Sequence, residues 1–303
     1  MQSIKTEKGI KASKKLCDGL KELIEGKWKR HDESWRKIPG FNLSVITEDT
    51  INKSCFYTLS VAIIVQGHKI VDIGTQRYSY SGDTMIVTSV EIPTSFRIDG
   101  ASVEEPFISI SLKLDPQLLS ELMEKMSGSF SSNAVEPNAF CVASPSIEIV
   151  NAFERLLRLT ENPQHMQMLL PSILHEIHYY ALTDVQCANL RELCMQGMPN
   201  HRIARAVQWI KEHYKEPLRI KTLAEMSFMA PSTFHAHFKA VTSLTPLQYQ
   251  KRLRLHEAKR LMLFQNSSTS AAAFEVGYQS VQQFCREYKR FFGKSPTRDT
   301  ALD

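Results

Sequence analysis

The chain has 303 residues, of which 43% are hydrophobic and 23% charged, values that fit about two folded domains. No apolar run approaches the ~20 residues of a membrane span, and the polar N-terminus lacks a signal-peptide core, so we expect a cytoplasmic protein. Residues 200–303 carry 17 Lys and Arg against 8 Asp and Glu, a net charge of +9. Residues 1–199 carry 20 Lys and Arg against 24 Asp and Glu, a net charge of −4. This asymmetry suggests that only the C-terminal part meets a polyanion such as nucleic acid.

The six cysteines lie far apart, and none has the spacing of a zinc site. We expect thiols in or near the core, although Cys55 or Cys141 could alternatively be a redox sensor. Cys187 and Cys194 share a helix face but lie too far apart to form a disulfide within one helix.

Residues 42–114 have the pattern of short strands separated by turns. Gln66-Gly67 is suited to a hairpin turn, and Pro93 is expected to break the chain before another strand. The strand-like runs recur at intervals of roughly 8–12 residues, which predicts a small barrel or sandwich. The predicted strands cover residues 60–66, 68–73, 84–90, 95–98 and 108–114.

Helical patterns follow the strands. Asp115-Pro116 and Ser144-Pro145 each place a capping residue before a proline suited to the first helical position. A third helix, at about 165–182, is expected to start or kink at Pro171. Its apolar residues occupy much of the circumference, so the surface must be covered either by a second copy of the chain or by residues 1–39.

Beyond a joint at residues 184–199, the remaining chain repeats one pattern of helices. A short helix, a tight turn and a second helix are predicted at about 220–241 and again at about 268–291, with Gly277 in the second turn. Phe234 and Phe284 occupy matching inward positions fifty residues apart. Two helix-turn-helix units are therefore predicted, with a long helix capped by Thr245-Pro246 between them.

The outward faces of the second helix of each unit carry the residues expected to meet DNA. Arg286 suits guanine and Gln282 suits adenine, because each side chain can form two hydrogen bonds with that base. Lys239, Lys289 and Arg290 are expected to contact the phosphate groups of DNA. The full set of candidates is Ser232, Thr233, His235, Ala236 and Lys239 in the first unit, and Ser280, Val281, Gln282, Arg286 and Lys289 in the second. Tyr249 and the basic residues of the long helix either contact DNA or pack.

Residues 200–298 resemble the AraC/XylS family of bacterial transcription regulators. Leu223-Ala224 and Arg252-Leu253-Arg254-Leu255 match the first unit and the long helix, and Gly277-Tyr278 with Phe292-Gly293-Lys294-Ser295-Pro296 match the second unit. Ser243, Ala230 and Ala236 depart from the family pattern in the first unit. Upstream, Gln66-Gly67-His68-Lys69, Tyr78-x-Tyr80-x-Gly82 and Glu105-Pro106 resemble the sensor half of one branch of the family.

The resemblance implies an α+β multidomain protein. Residues 1–198 would form a cupin-like small β-barrel with helices, for sensing and dimerisation, and residues 199–303 an all-α DNA-binding domain of two helix-turn-helix units joined by a long helix. The implied function is a transcription regulator that binds double-stranded DNA and responds to a small-molecule effector. A homodimer and RNA polymerase are further implied partners, without membrane association or a cofactor. The effector, the DNA site and the choice between activation and repression stay open.

The barrel also admits an alternative, a cupin-type metalloenzyme with an appended nucleic-acid-binding module. Such a site needs clustered histidines with a carboxylate. Only His68 falls among the predicted strands, so no metal and no catalytic residue is expected.

Overall fold

The computed structural model describes residues 17–126, 138–184, 187–195 and 197–300. Helix α1 covers residues 17–29 and is followed by a 3₁₀ turn, Ser34–Lys37. Cys17, Leu20 and Ile24 recur at helical spacing and are completely buried, so α1 packs into the core. Residues 1–16 of the segment proposed as a cover lie outside the described part.

Nine antiparallel strands are described, and they form two sheets. The five-stranded sheet has the order β1-β8-β3-β6-β9, and the four-stranded sheet the order β2-β7-β4-β5. The strands are β1 (Phe41–Ile46), β2 (Thr50–Tyr57), β3 (Ser60–Gln66), β4 (His68–Ile73), β5 (Gln76–Ser81), β6 (Thr84–Thr88), β7 (Ile92–Asp99), β8 (Phe107–Lys113) and β9 (Phe140–Ala143).

Two features of the sheets differ from expectation. Pro93 does not break the chain, because β7 runs through it and pairs it with Phe56. Pairing of β7 with β4 stops at Ser95, so Pro93 has a neighbouring strand on one side only, where its missing N–H is tolerated. Strand β9 was not predicted; it has four residues and is held by pairing with β6.

Four helices complete this sheet module, which comprises α1–α5 and β1–β9: α2 (Pro116–Lys125), α3 (Ile147–Leu159), α4 (Pro163–Thr183) and α5 (Ala188–Cys194). The predicted cap of α2 is confirmed, since the Asp115 carboxylate accepts a hydrogen bond from Gln117 N at 2.8 Å. Helix α3 is instead capped by Ser146, two residues beyond the expected position. Helix α4 begins at Pro163 rather than at Pro171, which lies within it.

The helical module consists of α6 (Pro199–Glu212), α7 (Ile220–Met226), α8 (Pro231–Thr242), α9 (Pro246–Phe264), α10 (Thr269–Glu275), α11 (Val281–Phe292) and α12 (Pro296–Thr300). Asn200 lies in the first turn of α6 and does not cap it. Its buried amide donates to Asn189 Oδ1 and Glu192 Oε2 of α5, at 3.1 and 2.7 Å. None of the described helices is long and apolar enough to cross a membrane.

The hydrophobic core is divided into three clusters. The first joins α1–α5 to one face of the five-stranded sheet. The second lies between the sheets and continues into α6–α9, so that Val71 and Ile98 of the sheet module share a cluster with Phe234 and Phe238 of the helical module. The third belongs to α9–α11 alone, around Phe284. The two modules are therefore packed together through a continuous apolar cluster.

Candidate nucleic-acid interface and ligand cavity

The first helix-turn-helix unit consists of α7 and α8. The turn is closed by hydrogen bonds from Ser227 N and Met229 N to Ala224 O, both 3.1 Å or shorter. Pro231 occupies the first turn of α8, where its missing N–H costs nothing. Phe234 and Phe238 are fully buried and anchor α8. This inward anchoring fixes which face of α8 meets solvent.

All five candidate residues of α8 lie on its solvent face. Ser232, Thr233, His235, Ala236 and Lys239 are exposed. Helix α8 ends at Thr242, and the next residue, Ser243, replaces the family's usual glycine and adopts the left-handed backbone conformation, with φ at 58°. The substitution therefore preserves the turn that follows α8, at the strain cost of a side chain in that conformation.

The second unit consists of α10 and α11. Its turn contains Gly277 at φ +90°, as predicted, and a Cβ there would lie 2.2 Å from Lys215 O. Ser280 caps α11 by accepting from Gln283 N at 3.3 Å. The Gln283 amide donates to Glu287 and not back to Ser280. Phe284 is fully buried, which confirms its predicted inward orientation.

The candidates on α11 are also accessible. Gln282, Arg286 and Lys289 are exposed, and Ser280 and Val281 are half-buried. In the described part of the chain, no hydrogen bond or ion pair joins Arg286, Lys289 or Lys239 to another side chain. Helices α8 and α11, called the recognition helices below, thus present cationic and amide groups whose hydrogen-bonding capacity is unused within the fold.

The long helix α9 uses its polar side chains differently. The Arg254 guanidinium donates to the carbonyls of Tyr214 (2.6 Å), Lys215 (3.1 Å), Glu216 (2.9 Å) and Gly277 (3.1 Å). It therefore ties the second turn to the segment between α6 and α7.

Two lysines of α9 form ion pairs with acidic side chains of the helical module. Lys251 pairs with Glu287 at 3.0 Å, and Lys259 pairs with Asp299 at 2.7 Å. Tyr249 is fully buried and donates to Glu91 O of the sheet module at 3.0 Å. Of the two roles left open for Tyr249, contact with DNA or packing, its burial supports packing.

Several further contacts attach the helical module to the sheet module. Lys211 Nζ lies 2.6 Å from Glu91 Oε2, and Ala139 N donates to Val241 O at 3.1 Å. A Cβ on Gly74, in the β4–β5 turn, would lie 2.2 Å from Ser243 O, so the close approach of this turn to the end of α8 requires glycine. The sheet module is thus in direct contact with a recognition helix.

A cavity of about 320 Å³ lies between the two sheets. Its lining includes Lys69, Tyr57, Phe96 and Phe107, together with hydroxyl groups from the five-stranded sheet. The sequence led us to expect small-molecule sensing by the barrel but identified none of these lining residues. The available signal was a charged residue, Lys69, in the inward register of β4, where Val71 and Ile73 are buried. A second cavity, of about 460 Å³, lies between α2 and α6.

The described residues contain no group of three or more His, Cys, Asp or Glu placed to hold a metal ion. His68 lies on β4, where its Nε2 is 2.9 Å from Ser79 Oγ and its Nδ1 is 4.0 Å from Asp99 Oδ2.

Comparison with known proteins relates both modules to one family. Residues 37–189 match the family described as the AraC-type transcriptional regulator N-terminus, and residues 223–300 match the family described as helix-turn-helix domain. The chain is 34% identical over 90 residues to the probable transcriptional regulator LumQ of Photobacterium leiognathi, covering 30% of this chain and 36% of LumQ. It is 29% identical over 126 residues to the transcriptional activator RhaS of an Enterobacter species, covering 40% and 45%. The matches thus span less than half of these curated relatives.

A solved structure of ToxT from Vibrio cholerae shares the fold. It superposes with a TM-score of 0.52 at 9% identity, covering 86% of this chain and 97% of ToxT. Another protein thus has the same order of modules: a pair of antiparallel sheets followed by two helix-turn-helix units. The first family match alone spans half of the chain. The chain belongs to the AraC/XylS family of transcription regulators.

Proposed function

We propose that this protein is a sequence-specific DNA-binding transcription regulator whose affinity for its promoter changes when a small molecule binds between the two sheets. The observation that carries the proposal is the state of the recognition helices. Each is anchored by buried aromatic residues and leaves its opposite face exposed, with Arg286, Lys289 and Lys239 unpaired among the described residues. Such faces fit the major groove, where side chains reach base edges and phosphates.

The proposed contacts differ in what they read. Arg286 and Gln282 would form bidentate hydrogen bonds with guanine and adenine, and Lys239 and Lys289 would bind phosphates. Ser232, Thr233 and His235 would add contacts from α8. Ser280 and Val281 lie at the start of α11, close to the groove, and Ala236 offers only an apolar contact. The recognition helices are proposed to enter successive major grooves about 34 Å apart on one face of the duplex.

The functions proposed for the two parts of the chain follow the family match. Residues 1–198 would sense the effector and residues 199–303 would bind DNA. Because the second hydrophobic cluster spans both modules, a ligand between the sheets could alter the position of α8 without a long relay. Regulation, rather than catalysis, is the proposed role of the cavity.

The test selects binding sites for the full-length protein from a random duplex library and then measures affinity at several salt concentrations. We expect one sequence motif to be enriched and the affinity to fall steeply as salt rises. Lys239→Ala should weaken binding, whereas Lys53→Ala, an exposed lysine on β2, serves as the matched control. Absence of an enriched motif, or equal losses for both variants, would contradict the proposal.

We also propose that the protein forms a homodimer through α4. Met168, Leu169 and Tyr179 are exposed there by 76%, 49% and 40%, although α3 packs against another part of α4. Sedimentation at tens of micromolar should give a dimer for the wild type and a monomer for Met168→Glu, with His165→Gln as a control on the same helix. RNA polymerase is a further proposed partner, because RhaS is named as a transcriptional activator.

A further inference from the structure

A lysine ammonium lies inside the cavity between the sheets. Lys69 extends from β4 on the same face as the buried Val71, toward the opposite sheet. Its Nζ lies 4.1 Å from the ring centre of Phe96, 5.3 Å from that of Tyr57 and 5.7 Å from that of Phe107. Three aromatic rings therefore surround the ammonium at cation–π distance.

No counter-charge accompanies this ammonium. The cavity lining contains no Asp or Glu, and in the described part of the chain no ion pair or hydrogen bond joins Lys69 to another side chain. The other titratable groups of the lining are Cys55, Tyr57 and Tyr80, and burial raises the pKa of all three, which are therefore neutral at pH 7. Burial lowers the pKa of Lys69 to about 8, so most molecules keep the charge at neutral pH.

The positive charge is therefore uncompensated. Contacts with aromatic rings offset only part of the loss of hydration of a buried ammonium. An anion of suitable size would be strongly attracted to this charge, because most water is excluded from the surroundings and screens the charge little. The cavity therefore offers a positive charge to an anionic ligand, because the protein supplies no negative group of its own there.

The rest of the lining indicates what the negative group is attached to. Hydroxyl groups of Ser44, Ser109 and Ser111 line the cavity from the five-stranded sheet, and Ile64 and Ile86 supply apolar surface. A volume of about 320 Å³ accommodates a small organic molecule rather than a bare ion. Charge, apolar surface and hydroxyl groups are thus arranged around one cavity.

We propose that this cavity binds a small monocarboxylate with an apolar or aromatic body, whose carboxylate pairs with Lys69. The inference rests on the proposed function, because it names the chemical class of the effector. Lys69 would select ligands that carry a negative charge. The aromatic rings and isoleucines would contact the apolar body of the ligand, and the serine hydroxyls would bind its polar substituents.

The first experiment compares matched probes on full-length protein by titration calorimetry. Phenylacetate and hexanoate are compared with phenylacetamide and hexanamide, which have similar shapes but no charge. We expect each carboxylate to bind at least about ten-fold more tightly than its amide, as for a charge-assisted hydrogen bond in place of a neutral one. Equal affinities for carboxylate and amide, or no binding of either by the wild type, would overturn the proposal.

Variants then assign the preference to Lys69. Lys69→Met should abolish the ten-fold preference for the carboxylate, Lys69→Arg should retain it, and Lys53→Met is the control for a lysine on the exposed surface of the same sheet. Without ligand, Lys69→Met should melt about 2 °C above the wild type, since it removes a buried unpaired charge. That measurement shows that a loss of binding does not come from unfolding. A Met variant that keeps the preference would overturn the proposal.

DNA binding is measured on the same preparations with the selected duplex. If the wild type binds DNA but shows no preference for carboxylates, the ligand class is wrong and the proposed regulator stands. If the wild type binds carboxylates but no specific DNA, the proposed function fails and the ligand site stands. The two hypotheses therefore fail separately.

Discussion

Two arginines of the helical module illustrate how burial decides the role of one residue type. Arg254 donates to four backbone carbonyls and holds the second turn against the segment after α6. Arg286 is exposed and has no such partner among the described residues. Both lie in stretches that match the family pattern, so the sequence alone did not separate a structural arginine from a proposed DNA-binding one.

Substitutions at these positions should therefore have different effects. Arg286→Ala should weaken binding to the selected DNA site by roughly 1–3 kcal/mol and relax specificity at one base pair. Lys289→Ala should weaken binding to all sequences alike and reduce the salt dependence, as expected for a phosphate contact. Affinities for the selected site and for single-base variants of it would be measured by fluorescence anisotropy. Sequence-independent losses for Arg286→Ala would show that it contacts only phosphate.

A pair of thiols gives a second prediction for individual residues. Cys187 donates to the sulfur of Cys141 at 3.4 Å, and this hydrogen bond lowers the pKa of Cys141. Mild oxidation with diamide should therefore join Cys141 to Cys187 in a disulfide, with loss of two titratable thiols and transfer of both hydrogens to diamide. Peptide mapping by mass spectrometry identifies the product.

Single substitutions provide the controls for the thiol pair. Cys141→Ser should prevent formation of this disulfide and Cys194→Ser should not, because Cys194 hydrogen-bonds to Leu190 O within its own helix. A dominant disulfide between Cys187 and Cys194 would contradict the packing of β9 against the start of α5. The sequence separated these cysteines by more than forty residues, so their proximity depends on tertiary structure alone.

Secondary-structure elements with local signals were predicted well. The caps Asp115 and Thr245 act as expected, because a capping residue hydrogen-bonds within three positions of itself, whereas α3 is capped by Ser146 instead of Ser144. Elements that depend on distant partners were not. Strand β9 exists through pairing with β6, and Asn200 is held by α5 rather than by the end of its own helix.

The turn of the second helix-turn-helix unit gives a prediction for an element. Gly277→Ala should lower the free energy of unfolding by more than about 2 kcal/mol, because the side chain must adopt φ +90° and also meets Lys215 O at 2.2 Å. Gly293→Ala is the matched control: its φ is +81°, and nothing lies within 4 Å of the added Cβ, so only the conformational cost of about 1 kcal/mol remains. Urea denaturation measures both, and equal losses would show that the close approach of Lys215 contributes nothing.

At the scale of the whole molecule, aromatic and imidazole rings connect the ligand cavity to the second unit. Cys55, Phe56 and Tyr57 of β2 all line the cavity, and the Phe56 ring also packs on the helical module. The Phe56 ring lies 6.2 Å from Tyr249 and 4.9 Å from His256. Strand β2 therefore separates the cavity from α9, the helix that joins the two helix-turn-helix units. A repeating apolar pattern predicts which face of each element is buried, but it does not say which module covers that face.

His256 lies at the centre of this junction, and its protonation tests how tightly the modules are packed. Its ring contacts Phe56, Phe291 and Phe292 at 4.9–5.4 Å. Burial lowers its pKa from 6.5 to about 4, and the charges of Lys259 and Arg252 add to this effect. Between these two pH values the unfolded chain binds a proton that the folded chain excludes, so the free energy of unfolding should fall as pH decreases from about 6.5 toward 4. One such group contributes at most about 1.4 kcal/mol per pH unit.

His256→Phe should flatten the decline by up to that amount, whereas His165→Gln, which replaces an exposed histidine on α4, should leave the decline unchanged. Denaturant unfolding across this range measures the slope, and an unaltered slope in His256→Phe would mean that the junction opens to water well before the protein unfolds.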